Sequence, residues 1–261
     1  MSFKLFITRI SFPFGLLMTK IKDALIKPDK RYVALKNKHE GERCFIVCTG
    51  PSLTMEDVNK LKSEYTFSMN SIFKCYDKTD WRPTYFGMSD WRFYKLFKKE
   101  FDDPKKFSDS TILYSRNEIH YKHKKDPKAI PVYCSNTNLI LSFMKDLTYK
   151  HIGISKVLDK RVNNGSTVAF IMLQMAIYMG FKKIYLLGSD CNYQGPKDHS
   201  DLAPAVKNQR VGKNDGIKFI DVYSSMLKDI PEDVHIYNAT RGGMLEVFPR
   251  VDLDEVLKEK K

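Results

Sequence analysis

The chain has 261 residues, 43% of them hydrophobic and 13% aromatic, which suits one sizeable α/β domain with a short appendage and argues against disorder. Its five cysteines show neither paired nor zinc-ligand spacing, which argues against a disulfide framework and a structural metal, and buried or free thiols in a reducing compartment are expected. The net charge of +13 asks for an anionic partner, but no helix-turn-helix, zinc-finger or aromatic–basic pattern points to nucleic acid; most of the charge reads as solvated surface, as in Lys122–Lys128 and Lys258–Lys261.

Residues 1–27 repeat apolar side chains at helical spacing (Phe3, Phe6, Ile7, Ile10, Phe14, Leu17, Ile21), interrupted by Lys4, Arg9, Lys20, Lys22 and Lys27. The segment is too charged to span a bilayer and lacks a signal-peptide cleavage site. A basic amphipathic segment, broken near Pro13-Phe14-Gly15, suits peripheral contact with the cytoplasmic face of the cell membrane. The alternative is packing on the domain or on a second copy in a homo-oligomer. Residues 28–42 (PDKRYVALKNKHEGE) read as a polar linker, and residues 43–261 as the domain itself.

From Arg43 strands alternate with helices. Cys44–Cys48 is a buried strand that runs into Thr49-Gly50-Pro51-Ser52 and a helix over Met55–Glu64, with Ser52 as its cap. Such a strand–turn–helix joint can receive an anion on exposed N–H groups, although it is equally an ordinary joint without a ligand. Strands over Thr66–Met69 and Pro83–Met88 follow, then a helix over Trp91–Phe101 and strands over Thr111–Tyr114 and Ala129–Tyr133. Asn136–Lys160 reads as helical. Asn163-Asn164-Gly165-Ser166-Thr167 caps an apolar helix over Val168–Met179, stopped by Gly180, and Lys183–Leu187 is a strand ending in Gly188-Ser189-Asp190. A helix over Gly216–Lys228, a strand over Val234–Tyr237 and the loop Asn238–Gly243 complete the pattern. The alternation predicts an α/β fold: a Rossmann-like, mostly parallel sheet flanked by helices.

Ligands of such sheets bind beyond the carboxyl ends of the strands. Nearly every strand here ends in small or polar residues: Thr49 to Ser52, Asn70-Ser71, Ser89-Asp90, Gly188-Ser189-Asp190 and Asn238-Ala239-Thr240, joined by Asn164, Gly165 and Ser166 at a helix start. One such end is turn chemistry; several on one edge suggest a polar small-molecule site. There is no GxGxxG fingerprint, no GxxxxGK[ST] loop and no DxD pair, which disfavours NAD enzymes, Walker-type kinases and metal-dependent sugar transferases. A reaction without metal or cofactor is therefore expected. Of six histidines, His199 follows the Asp190 strand end in a loop that would overhang the sheet edge, with Asp198 or Asp201 to orient it. His120, His123 and His151 stay open; His39 in the linker and His235 in a strand are weaker candidates.

These residues resemble two related groups. TGPSL after the first strand, an Asn ending the second, and an apolar helix leading to GFKKIYLLGSDCNY are similar to bacterial sialyltransferases of glycosyltransferase family 42. NATRGGMLEVFPRVDLDEVL is similar to the MptE-like domain family, which includes 6-hydroxymethylpterin diphosphokinases and the core of flagellin-glycosylating factors. The likeness covers about Arg43–Leu257. It implies a GT-A-variant sialyltransferase fold, a CMP-activated donor, and inverting displacement with a histidine base and no metal. Gly50, Pro51 and Ser52 would lie along the nucleotide phosphate, and Asn70 would contact the donor. Ser89-Asp90 would stand where that family keeps an asparagine. Gly165 and Ser166 would meet cytidine or phosphate, Asp190 would lie beside the nucleotide, and Tyr193 would donate to the departing phosphate. His199 is the implied base, and Arg161 the nearest match to an arginine before the Ser-Gly helix start.

The expected function is transfer of an acidic, sialic acid-like sugar from a CMP-linked donor to a glycan or lipid-linked acceptor in surface-glycan assembly. An ATP/Mg-dependent diphosphokinase, with Asp90 and Asp190 as metal ligands, and a non-catalytic nucleotide-binding subunit are the alternatives.

Overall fold

A computed structural model describes residues 3–103, 105–193, 199–204 and 215–259, with side chains from residue 13 onward. The chain opens with α1 (Phe3–Leu25) and a single turn, α2 (Lys30–Val33), before β1 (Arg43–Val47). Next come α3 (Met55–Lys60), β2 (Tyr65–Met69), β3 (Tyr85–Met88), α4 (Trp91–Leu96), α5 (Lys98–Phe101), β4 (Thr111–Ser115) and β5 (Ala129–Val132). β6 (Cys134–Ser135), α6 (Thr137–Asp146) and β7 (Val162–Asn163) form a side unit in which β6 pairs with β7. α7 (Val168–Tyr178), β8 (Lys183–Leu187), α8 (Asp215–Met226), β9 (His235–Asn238) and α9 (Leu253–Lys258) close the fold.

The seven main strands pair in parallel in the order β5-β4-β3-β2-β1-β8-β9. This is the α/β architecture expected from the alternation. Because the order runs outward from β1 on one side and from β8 on the other, the two strands flank a topological switch point. In open parallel sheets the crevice at that point is where ligands bind.

Period-two alternation distributes β1 between two cores. Cys44, Ile46 and Cys48 pack with α7 on one face, and Phe45 and Val47 join Phe73, Phe86 and Phe107 on the other. A strand buried on both faces must be apolar throughout, which is why the CFIVC run is legible as sequence. α7 is apolar all round for the same reason. Its one polar side chain, Gln174, is fully buried and satisfied: Oε1 accepts from the N–H groups of Ser155 and Asn163, and Nε2 donates to the Asn163 carbonyl.

Several expectations need correction. Residues 28–42 are not a polar linker: Tyr32, Leu35 and His39 are buried, and Tyr32 stacks on Tyr178 of α7. Their polar neighbours point outward and hide three widely spaced anchors. α1 is continuous through Pro13, since one proline removes one ladder bond and the flanking turns carry the helix across it. Asn136–Lys160 is helical only over α6, which ends at Leu147 in a left-handed conformation. Trp91–Phe101 is two short helices meeting at Phe97. No helix among the described residues is long and apolar enough to cross a membrane.

α1 packs against α6 and is pinned at one buried carboxylate. Asp23 accepts hydrogen bonds from Ser135 Oγ (2.5 Å) and Thr137 Oγ1 (2.8 Å) and lies 3.4 Å from Arg161 Nε. Arg161 is thereby committed to α1.

Candidate active site

An open cavity of about 970 Å³ lies at the carboxyl ends of β1, β2, β3 and β8. Thr49 and Gly50 enter it after β1, Asn70 and Ser71 after β2, Ser89 and Asp90 after β3, and Gly188, Ser189 and Cys191 after β8. Ser166 and Thr167, just before α7, Tyr193, and His199 complete the polar lining. Eight of the expected site residues thus share one cavity: Thr49, Gly50, Asn70, Ser89, Asp90, Ser166, Tyr193 and His199.

Five others stand behind it. Pro51, Ser52, Asn164, Gly165 and Asp190 do not line the cavity. Ser52 does not cap the following helix; Thr54 does, in a reciprocal capping box with Asp57. The Ser52 N–H and hydroxyl instead donate to the buried Asp190 carboxylate, at 3.2 Å to Oδ1 and 2.9 Å to Oδ2. The anion seated on this turn is the protein's own. Burial pushes the Asp190 carboxyl above the ordinary range, and the Ser52 hydrogen bonds oppose that only in part. A side chain at Gly50 would collide with the Asp190 carboxylate and the Gly188 carbonyl, so β1 and β8 close together only because position 50 lacks one. Gly165 is small for a packing reason, with Phe170 and Val222 against it. Asn164 works as a bracket: its Oδ1 accepts the Ser166 N–H (2.9 Å) and its Nδ2 donates to Asn136 Oδ1 (2.7 Å).

The rim is locally strained. Five described non-glycine residues have φ in the left-handed region, and three of them, Asn70, Ser166 and Cys191, line the cavity. Such backbone concentrates where a chain must turn sharply to present polar groups. The segment around His199 is fastened to the same edge. The Ser200 N–H donates to the Thr49 carbonyl (2.9 Å), Ser200 Oγ to the Leu53 carbonyl (2.7 Å), and Ser71 Oγ to the Ala203 carbonyl (3.0 Å). These bonds bring a half-buried imidazole to the pocket.

His199 is the histidine that reaches the cavity among the described residues. His123 bonds the Asp102 carbonyl, His151 pairs with Asp146, and His39 is locked between Glu42 and Tyr85. Asp201 is exposed outside the cavity, while Asp198 lies outside the described residues. Tyr193 packs edge-on against Phe219 (6.0 Å), and burial raises its hydroxyl, which stays protonated at neutral pH.

Two features escaped the sequence reading. Arg241, in the loop after β9, holds Asp57 through both guanidinium Nη atoms (2.8 and 2.5 Å) and donates to the Ser52 carbonyl (3.3 Å), clamping the first turn from behind. Its signal was the Arg before paired glycines, with a buried acid in α3 as the missing half. α4 also contributes Trp91, Arg92 and Lys95 to the cavity, where the sequence marked only the preceding Ser89-Asp90.

No group of three or more His, Cys, Asp or Glu side chains suited to a metal ion occurs among the described residues. Asp90 caps α4 and grips Arg92, and Asp190 is taken by Ser52.

A parallel α/β sheet with a polar cavity at its switch point defines the class of fold and places the candidate site. Residues 18–196 match the MptE-like family, described as 6-hydroxymethylpterin diphosphokinase MptE-like, and the chain belongs to it. No curated protein matches the chain by sequence. Among solved structures, a MAf glycosyltransferase from Magnetospirillum magneticum AMB-1 is similar over 86% of this chain, with 14% identity and a TM-score of 0.52. This chain spans only 37% of that protein. The sialyltransferase CstII from Campylobacter jejuni, solved with cytidine-5'-monophosphate, is 19% identical over 81% of this chain and 85% of its own, with a TM-score of 0.45.

Proposed function

We propose that the protein is a metal-independent glycosyltransferase of surface-glycan assembly, moving an acidic sugar from a CMP-activated donor to a glycan or lipid-linked acceptor. The observation that carries this reading is the cavity itself: hydroxyls, an amide and backbone groups from four strand ends meet one imidazole and one protonated phenol. The sharing of a fold with a MAf glycosyltransferase agrees with it.

In this reading His199 accepts the acceptor's hydroxyl proton as that oxygen bonds to the anomeric carbon. The bond from that carbon to the phosphate oxygen breaks, and CMP leaves with the electron pair. Tyr193 donates a hydrogen bond to the departing phosphate, whose charge grows in the transition state. Ser52 takes no part in phosphate binding, because its donors are used by Asp190.

Peripheral attachment at the inner face of the membrane belongs to the same proposal. Phe14, Leu17, Ile21 and Leu25 of α1 are solvent-exposed, interleaved with exposed Lys20 and Lys22, which suits an anionic lipid surface.

The deciding experiment assays transfer from CMP-sugars to host acceptor extracts with wild-type protein and His199→Ala. A loss of two or more orders of magnitude in turnover, with CMP binding retained, is expected; near-normal transfer by the variant overturns the assignment. Family membership favours a second reading, an ATP-dependent diphosphokinase. Thermal stabilisation by ATP with Mg²⁺ but not by CMP would select it. Nucleotide affinity without any turnover would mark a non-catalytic subunit.

A further inference from the structure

The cavity's polar groups are unevenly charged. On the sheet side they are neutral: Thr49, Asn70, Ser71, Ser89 and Ser166. The Lys and Arg side chains of the described lining are Arg92 and Lys95, and both come from α4. Of the acidic side chains there, Asp215 holds Lys218 at 2.5 Å and Asp90 holds Arg92 at 3.1 Å. Lys95 has no carboxylate partner among the described residues. The first turn cannot supply countercharge, since its Ser52 donors already face Asp190.

We infer that α4 is the anion-reading wall of the pocket, with Arg92 and Lys95 binding a phosphate or carboxylate group of the substrate. This rests on the glycosyltransferase reading of the same cavity and adds to it the residues that answer the ligand's charge. Arg92 and Lys95 stand three residues apart and so share one face of the helix. Asp90 accepts from the Arg92 backbone N–H (2.8 Å), Nε (3.2 Å) and Nη2 (3.1 Å), which fixes the direction of the guanidinium fork. Asp90 takes the Nε–Nη2 edge, which leaves the Nη1 end of the guanidinium to meet an oxygen of a carboxylate or phosphate. Lys95 supplies the uncompensated charge. Arg92 is 69% exposed, so both cations rest hydrated until a ligand arrives.

The test is calorimetric titration of the full chain with CMP, cytidine, CMP-N-acetylneuraminic acid, UDP, GDP and ATP, at low and high salt. Wild-type protein is compared with Arg92→Ala/Lys95→Ala, and Arg92→Gln/Lys95→Gln serves as the second variant if the first fails to fold. The double variant is expected to weaken the anionic ligand about tenfold or more, with a flatter salt dependence and an unchanged unfolding midpoint. Loss for CMP with cytidine unaffected assigns the phosphate; loss confined to the CMP-sugar assigns the sugar carboxylate. Equal affinity of variant and wild type overturns the inference and leaves the functional reading intact. Failure of the wild type to bind any of the six overturns both.

Discussion

The Asp190 carboxylate accepts two hydrogen bonds from Ser52, one from its backbone N–H and one from its hydroxyl, and so ties the end of β8 to the turn after β1. The Met244 N–H donates to the Asp190 carbonyl (2.7 Å), bringing the loop after β9 into the same knot. Three strand ends are held by one buried acid.

Asp190→Ala should cost about 1–3 kcal/mol in urea unfolding, the worth of two half-buried Ser52 donors left without an acceptor. The pH behaviour of this residue has a definite sign. Its folded-state carboxyl is raised, so the native state keeps the proton longer than the unfolded chain, and its contribution to stability falls as pH rises from the ordinary carboxylate value to the raised one. Asp190→Asn should flatten that part of the stability–pH curve; an unaltered curve would show that the acid does not titrate there.

Arg241→Ala should destabilise by about 1–2 kcal/mol, toward the low end for hydrogen bonds to a charged group because Arg241 is half exposed. Burial drives the Asp57 carboxyl up, but the bonds from Arg241 and Thr54 outweigh it and leave it below the usual value. Its contribution is therefore complete above the ordinary carboxylate range and vanishes as pH falls through the lowered value. Arg241→Lys should recover little, since a single ammonium cannot span both oxygens. Chemical denaturation at neutral and acid pH reads both effects.

His39 stacks on Phe181 (4.6 Å), with Nε2 at 2.7 Å from the Tyr85 hydroxyl and Nδ1 at 2.5 Å from Glu42. Burial lowers its pKa from the ordinary 6.5, with Glu42 pulling partly the other way. The unfolded chain thus binds the proton more readily, and stability should drop as pH falls below about 6.5 toward the lowered value. His39→Gln should remove that slope; a thermal melt series between pH 7.5 and 5 that matches wild type would refute it.

Sedimentation with vesicles tests the α1 face. Leu17→Ser/Ile21→Ser should cut binding to anionic vesicles several-fold while leaving the unfolding midpoint unchanged, because both side chains are exposed. Equal binding by wild type and variant would disqualify this face.

β1, α7 and β8 were readable because strands and helices buried on all sides must be written in unbroken apolar runs, and their ends in turn residues. β6 and β7 were not, since two-residue strands carry no period. The pattern PDKRYVALKNKHEGE concealed α2 because Tyr32, Leu35 and His39 are outnumbered by solvated neighbours. At the site, the sequence located the strand ends correctly as a cavity edge. It could not tell which of several successive residues turns inward: Thr49 and Gly50 reach the cavity, whereas Pro51 and Ser52 lie behind it. The partnership of Asp57 with Arg241 joins residues 184 positions apart, and only folding brings such a pair together.

Asp23 gives α1 a consequence beyond anchorage. Its partners Ser135 and Thr137 flank Asn136, which bonds Asn164, which in turn bonds Ser166 on the rim of the cavity. A few hydrogen bonds therefore separate the helix from the mouth of the pocket, with no slack chain between them. If α1 attaches to a membrane as proposed, that chain of bonds couples the attached helix to the cavity rim, and an acceptor rooted in the membrane would need the reach to match.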